Sequence, residues 1–185
     1  MEKKYYWDQT SEIISKYLQR YFKEEMEICE IGFASGHFLE WLYSNGYKKL
    51  SGIEIRNDQY EATKREFLSK GLKINLMQGD AKKIQKKYDA VFSTGLIQCF
   101  DGDEQKDFLS NVSKIADIAI FTVPEIQQIR NENSISDVGV SGCKEFCTGN
   151  IPYILSLYYD VVKFEKLEKN EIQNCDNYYI YVCKK

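Results

Sequence analysis

The segment Glu30-Ile31-Gly32-Phe33-Ala34-Ser35-Gly36 decides how this chain is read. It closes a short apolar stretch, Ile28 to Ile31, and precedes Phe38, Leu39, Trp41 and Leu42, which recur at helical spacing until Asn45-Gly46. The pattern predicts strand, glycine turn, helix. Glycine at 32 and 36 permits a tight turn and close backbone approach, so that a ligand can lie against main-chain amides at a helix amino terminus. A dinucleotide fingerprint asks for glycine at 32, 34 and 37, where this chain has Gly32, Ala34 and His37. A nicotinamide reading is strained at two of those three positions.

Outward from the turn the same unit repeats. Leu50 to Ile55 predicts a strand, Asn57 to Lys70 a helix closed by Gly71, Leu72 to Met77 a strand, Tyr88 to Ser93 a strand, Asp103 to Ile115 a helix, and Ile118 to Val123 a strand stopped at Pro124. Upstream, Ile13, Ile14, Tyr17, Leu18, Tyr21 and Phe22 predict an amphipathic helix between Asp8 and Phe22. Strands alternating with helices call for a parallel sheet covered on both faces, because each parallel connection needs a long crossover. The last third differs. A helix around Gly149 to Tyr158 is followed by strands Val161–Leu167 and Tyr178–Cys183, too close together for anything but antiparallel pairing. The expected fold class is α/β, a doubly wound, mostly parallel seven-stranded sheet ending in an antiparallel hairpin.

Composition narrows the function classes. The 185 residues include two prolines and carry a formal charge of −3 with both signs interspersed, which suits one domain and offers no positive field for neutralising phosphates, so nucleic acid is not the expected partner. Ile115 to Val123 is far shorter than a membrane span of about 20 residues. No apolar run follows the charged start Met1-Glu2-Lys3-Lys4, so a cytoplasmic protein is expected. Six cysteines without an export signal are expected to be reduced. Cys143, Cys147, Cys175 and Cys183 lack the paired spacing of a structural zinc site, and no metal is expected.

Two acidic positions complete the constellation. Glu54 ends the second strand 22 positions beyond Gly32, where a carboxylate accepts hydrogen bonds from ribose hydroxyls in such folds, with Ile55 after it. Gly79-Asp80-Ala81 follows the third strand; Asp80 is placed either to accept from an exocyclic adenine amine or to cap a helix. His37, the single histidine, sits in a first helical turn, a place where imidazoles are more often solvated than catalytic.

Over roughly residues 25 to 183 the chain resembles the class I, Rossmann-like S-adenosylmethionine-dependent methyltransferases, of the kind acting on small molecules. The turn Glu30 to Gly36 resembles that family's first motif, Glu54 its ribose-binding acid, and Gly79-Asp80 its adenine-side motif. Tyr88 to Phe100 is similar to the family's fourth segment, in which Gly-Leu-(Ile/Leu)-Glu-His-Phe often follows the strand. Here Gln98 and Cys99 replace the Glu and His, and Ala34 replaces a glycine.

The resemblance implies S-adenosylmethionine as cofactor, held by Glu30, Gly32, Phe33, Ala34, Ser35, Gly36, Glu54, Ile55, Gly79, Asp80, Ala81, Ser93, Thr94 and Gly95. It implies transfer of a methyl group by in-line displacement to a small-molecule or carrier-presented acceptor, near Tyr6, Trp7, Gln98, Phe100 and Glu125; no catalytic base is identified. The expected organisation is one domain: residues 1–24 a helical lid, 25–124 the cofactor-binding core, 125–148 a substrate cap, and 149–185 the final helix and hairpin. The polar stretch Glu125 to Gly142 exceeds an ordinary connection, which motivates the cap. A nicotinamide-dependent oxidoreductase and a non-catalytic binding module are the rival readings. Neither the acceptor nor the oligomeric state follows from the residues.

Overall fold

At Ile28–Ile31 (β1) every residue is buried, as expected of a strand covered on both faces. Its side chains alternate: Ile28 joins one core cluster, Cys29 and Ile31 the other. The same division runs through Ala90–Thr94 (β4), Ile118–Pro124 (β5) and Tyr178–Lys184 (β7), where Ala90, Phe92, Ile120, Ile180 and Val182 face one way and Val91, Ala119, Phe121, Tyr181 and Cys183 the other. With Leu50–Glu54 (β2), Asn75–Gln78 (β3) and Val161–Leu167 (β6) these form one seven-stranded sheet in the order β3-β2-β1-β4-β5-β7-β6. Pairing is parallel from β3 to β5 and antiparallel at β5–β7 and β7–β6. The expected architecture, terminal hairpin included, is the one observed. These relationships come from a computed structural model that describes residues 9–100, 102–124, 151–167 and 178–185.

Helices cover both faces. Gln9–Tyr21 (α1), His37–Ser44 (α2) and Asn57–Ser69 (α3) supply Ile14, Leu18, Phe38, Leu39, Leu42 and Phe67 to one cluster; Gly102–Ile115 (α4) and Ile151–Ser156 (α5) supply Phe108, Leu109, Val112, Ile151 and Leu155 to the other. Ile14 and Leu18 lie one helical turn apart and Phe22 one further, all nearly inaccessible, and burial of each such side chain stabilises by roughly 1.5–3 kcal/mol. α1 is a layer of the core, its apolar stripe sharing a cluster with Ile28, Ile180 and Val182, and residues 1–8 of the segment expected to form a lid lie outside the described residues. The expected cap lies outside the described residues.

Strand order reverses at β1, whose neighbours are β2 on one side and β4 on the other. The crevice outside the carboxyl ends of parallel strands at such a switch point is where α/β proteins bind ligands. Here that rim is tied by main-chain bonds: Gly32 N–H donates to Ile53 O at 2.8 Å, Gly79 N–H to Glu54 O at 3.0 Å, and Gly95 N–H to Thr122 O at 3.1 Å.

Candidate cofactor and acceptor site

The turn after β1 runs through three left-handed residues, Gly32 at φ +74°, Ala34 at +45° and Gly36 at +70°. Glycine enters that region freely, whereas alanine does so at a steric cost. Gly36 has a second reason to be glycine: a Cβ there would meet the Phe67 ring at 2.6 Å and the Thr63 methyl at 2.9 Å. Ala34 is exposed toward the rim, while Phe33 turns into the core at 2% exposure. Phe33 therefore brings only its main chain to the rim.

Glu54, at the carboxyl end of β2, uses one lone pair of each oxygen on the backbone. Its Oε2 accepts from Ala34 N–H at 3.0 Å and its Oε1 from Arg56 N–H at 2.9 Å. A carboxylate has about four acceptor directions, so the remainder stay available to hydroxyls. Beside it Ile55 stands 60% exposed, an apolar surface at the rim. Glu30 differs in kind. It is 1% exposed, its Oε2 has no hydrogen-bond partner among the described residues, and burial, reinforced by the charge of Glu54, pushes its carboxyl well above the usual carboxylate range.

Asp80 makes a capping contact. Its Oδ1 accepts from Lys82 N–H at 2.9 Å and starts the short 3-10 turn Ala81–Lys83. Ala81 is buried under it, and Asn111 of α4 donates to Ala81 O at 3.0 Å and Ile84 O at 3.2 Å, anchoring the turn. No such partner borders Gly79, where a Cβ would meet nothing within 4 Å.

The segment after β4 closes the other side of the crevice. Ser93 is buried and donates its hydroxyl to Ile31 O at 2.8 Å, which ties β4 to β1. Thr94 and Gly95, the latter at φ +63°, are partly exposed at the strand end. Leu96 then reaches over Gly32, lying 3.2 Å from where a Cβ would be. Gln98, in the 3-10 turn Ile97–Cys99, donates through Nε2 to Gly95 O at 2.5 Å; its Oε1 is buried and has no partner among the described residues. Phe100 packs on the Phe108 ring with centroids 5.0 Å apart and is held against α4. Tyr6, Trp7 and Glu125 lie outside the described residues.

A methyltransferase-domain family matches residues 28–117, from the start of β1 to the residue before β5. Over those residues, just under half of its length, the chain is similar to methyltransferase domains. A search of curated protein sequences gives no match. Solved structures agree in fold. The magnesium protoporphyrin IX methyltransferase of Synechocystis PCC 6803 with bound SAH is 17% identical, with a TM-score of 0.76 over 96% of this chain and 82% of that one. Its complex with SAM gives 15%, 0.74, 96% and 79%. A SAM-dependent methyltransferase from Archaeoglobus fulgidus is 18% identical, with a TM-score of 0.68 over 94% of each chain.

The rim fits S-adenosylmethionine, the methyl donor used by the methyltransferases to which this chain is similar. Two observations carry the fit: the Glu54 carboxylate retains acceptor capacity beside the turn, and Ile55 presents an apolar surface where a flat heterocycle can rest. Sequence reasoning missed Thr63, Asn111 and the main-chain duties of Glu54. Glu54 itself was found through its spacing from Gly32, but no local pattern signals a contact between α3 and a turn some thirty residues earlier.

Proposed function

We propose that this methyltransferase acts on a small molecule, free or presented on a flexible carrier, at the crevice between the turns after β1 and β4. The observation that carries the reading is the convergence of those turns, with Leu96 seated over Gly32, beside Glu54 and Ile55. In this reading the main chain of Gly32 to Gly36 and the Glu54 carboxylate hold the cofactor, with Ile55, Gly79 and Asp80 along its heterocycle and Thr94 and Gly95 at its methyl end. Glu30, Phe33, Ala81 and Ser93 are buried and shape the rim from behind.

S-adenosylmethionine supplies a methyl group on a sulfonium, a leaving group that needs no protonation. The work left to the protein is to orient the acceptor, and alignment of two bound reactants is worth up to roughly 7–11 kcal/mol. Gln98 supports an orienting role, because its Oε1 is a buried acceptor without a described partner, a state that is costly unless a ligand supplies the donor. The acceptor in this reading offers an N–H or O–H to Gln98. Tyr6, Trp7 and Glu125 belong to the same proposal as flanking residues.

The acidic net charge supports a small acceptor over nucleic acid, and so does the porphyrin named for the Synechocystis relative. No described helix is long and apolar enough to cross a membrane, and Cys29 and Cys183 are free thiols inside the fold; both suit the cytoplasm. The test is a screen of small N–H and O–H nucleophiles with S-adenosylmethionine, read by S-adenosylhomocysteine release and product mass. Turnover on a hit should fall at least tenfold in Gln98→Leu, with cofactor affinity within a few fold, as expected for one buried hydrogen bond to the acceptor. Tight cofactor binding with no turnover on any acceptor favours the binding-module reading instead.

A further inference from the structure

The geometry points to Thr63 as a positioning residue that holds the cofactor turn through the carbonyl of Ala34. Thr63 lies on α3, 2% exposed, and its hydroxyl donates to Ala34 O at 2.7 Å. The N–H of the same residue is bound by Glu54 at 3.0 Å. Ala34 is thus gripped at both ends of its backbone, and among the described residues it is the one non-glycine residue with positive φ.

These facts belong together physically. A glycine at this position would populate the left-handed region unaided, but an alanine must be held there. Thr63 has a polar group placed for the task, and its burial keeps water from substituting for that bond. A helical threonine ordinarily turns its hydroxyl to the carbonyl of its own preceding turn, yet this one reaches a different element. Its methyl also lies against Gly36, so the side chain braces the turn at two points. The consequence is that the turn from Gly32 to Gly36, with the N–H groups of Gly32, Ala34 and Gly36 bound to Ile53 O, Glu54 and Phe33 O, holds one arrangement before the cofactor arrives. Releasing Ala34 would divide the turn among several conformers, and apparent affinity falls with the fraction that is competent.

This inference rests on the cofactor site proposed above. The experiment is calorimetric titration with S-adenosylhomocysteine of the full chain, Thr63→Val, Thr63→Ser, Ala34→Gly and the Thr63→Val/Ala34→Gly double variant, each with a ligand-free melting curve. Thr63→Val should weaken binding roughly fivefold, the size of one neutral hydrogen bond, while Thr63→Ser stays within about twofold. In the Ala34→Gly background the same Thr63→Val change should weaken binding by less than about twofold, because glycine no longer needs the restraint. An equal loss in both backgrounds, or no loss in Thr63→Val, overturns the inference while leaving the cofactor site standing. If the unaltered protein binds no S-adenosylhomocysteine, the site itself falls and the inference with it. Should Thr63→Val fail to fold, Thr63→Ser against Thr63→Ala isolates the hydroxyl: equal affinities in that pair contradict the inference, and weaker binding by Thr63→Ala supports it.

Discussion

Ala34 N–H donates to Glu54 Oε2 at 3.0 Å, so the acid expected to meet a ribose also pins the turn after β1. One carboxylate thus joins two strand ends, and its loss acts on structure and ligand together. Glu54→Ala should destabilise the ligand-free protein by about 1.5–3 kcal/mol, in the range of a hydrogen bond to a charged group. It should also weaken S-adenosylhomocysteine binding by more than tenfold. Glu54→Gln keeps one acceptor oxygen for two N–H donors and should fall between. Urea denaturation and calorimetry measure the two effects; wild-type stability with lost binding would mean that the Ala34 bond contributes nothing.

Gly36→Ala tests the back of the same turn. A Cβ placed 2.6 Å from the Phe67 ring, on a residue at φ +70°, must displace a buried aromatic. Overpacking of this kind costs about 1–3 kcal/mol, and left-handed alanine about 1–2 more. Thermal melting should show a clear loss. A variant melting within a degree of the unaltered protein would contradict the packing described here.

Glu30 sets a pH dependence. Its folded pKa is raised, so the native state holds the proton more tightly than the unfolded chain. The favourable contribution is complete below the ordinary value of 4.5 and is lost as pH rises from there through the folded pKa. Glu30→Gln removes the titration. Its stability relative to the unaltered protein should therefore improve as pH rises above about 4.5, until the folded carboxyl itself ionises. Parallel stability–pH curves for the two proteins would show that Glu30 is not titrating from a buried, raised state.

The sheet was legible because β1, β2, β4 and β5 are apolar runs cut by glycine, asparagine or proline, and because the β6–β7 spacing admits only a hairpin. Boundaries slipped where a helix end resembled a strand start. Leu72 is apolar, yet its N–H bonds back to Phe67 O at 2.9 Å as α3 closes through Gly71, so β3 begins only at Asn75. Two 3-10 turns, Ala81–Lys83 and Ile97–Cys99, were too short to leave a periodicity. At the site, Gly32 and Glu54 were visible through spacing. The grip of Thr63 on Ala34 was not, because it depends on how α3 packs, a tertiary fact that no single segment encodes. For α1 the amphipathic stripe says that the helix is covered, not what covers it.

The most direct test of the account is calorimetry of the purified protein with S-adenosylhomocysteine and, separately, with NADH. Saturable binding of S-adenosylhomocysteine is expected, with a stabilisation of roughly 2.7 kcal/mol at a hundredfold excess over the dissociation constant and no heat from NADH. Binding of NADH, with no response to millimolar S-adenosylhomocysteine, would contradict it.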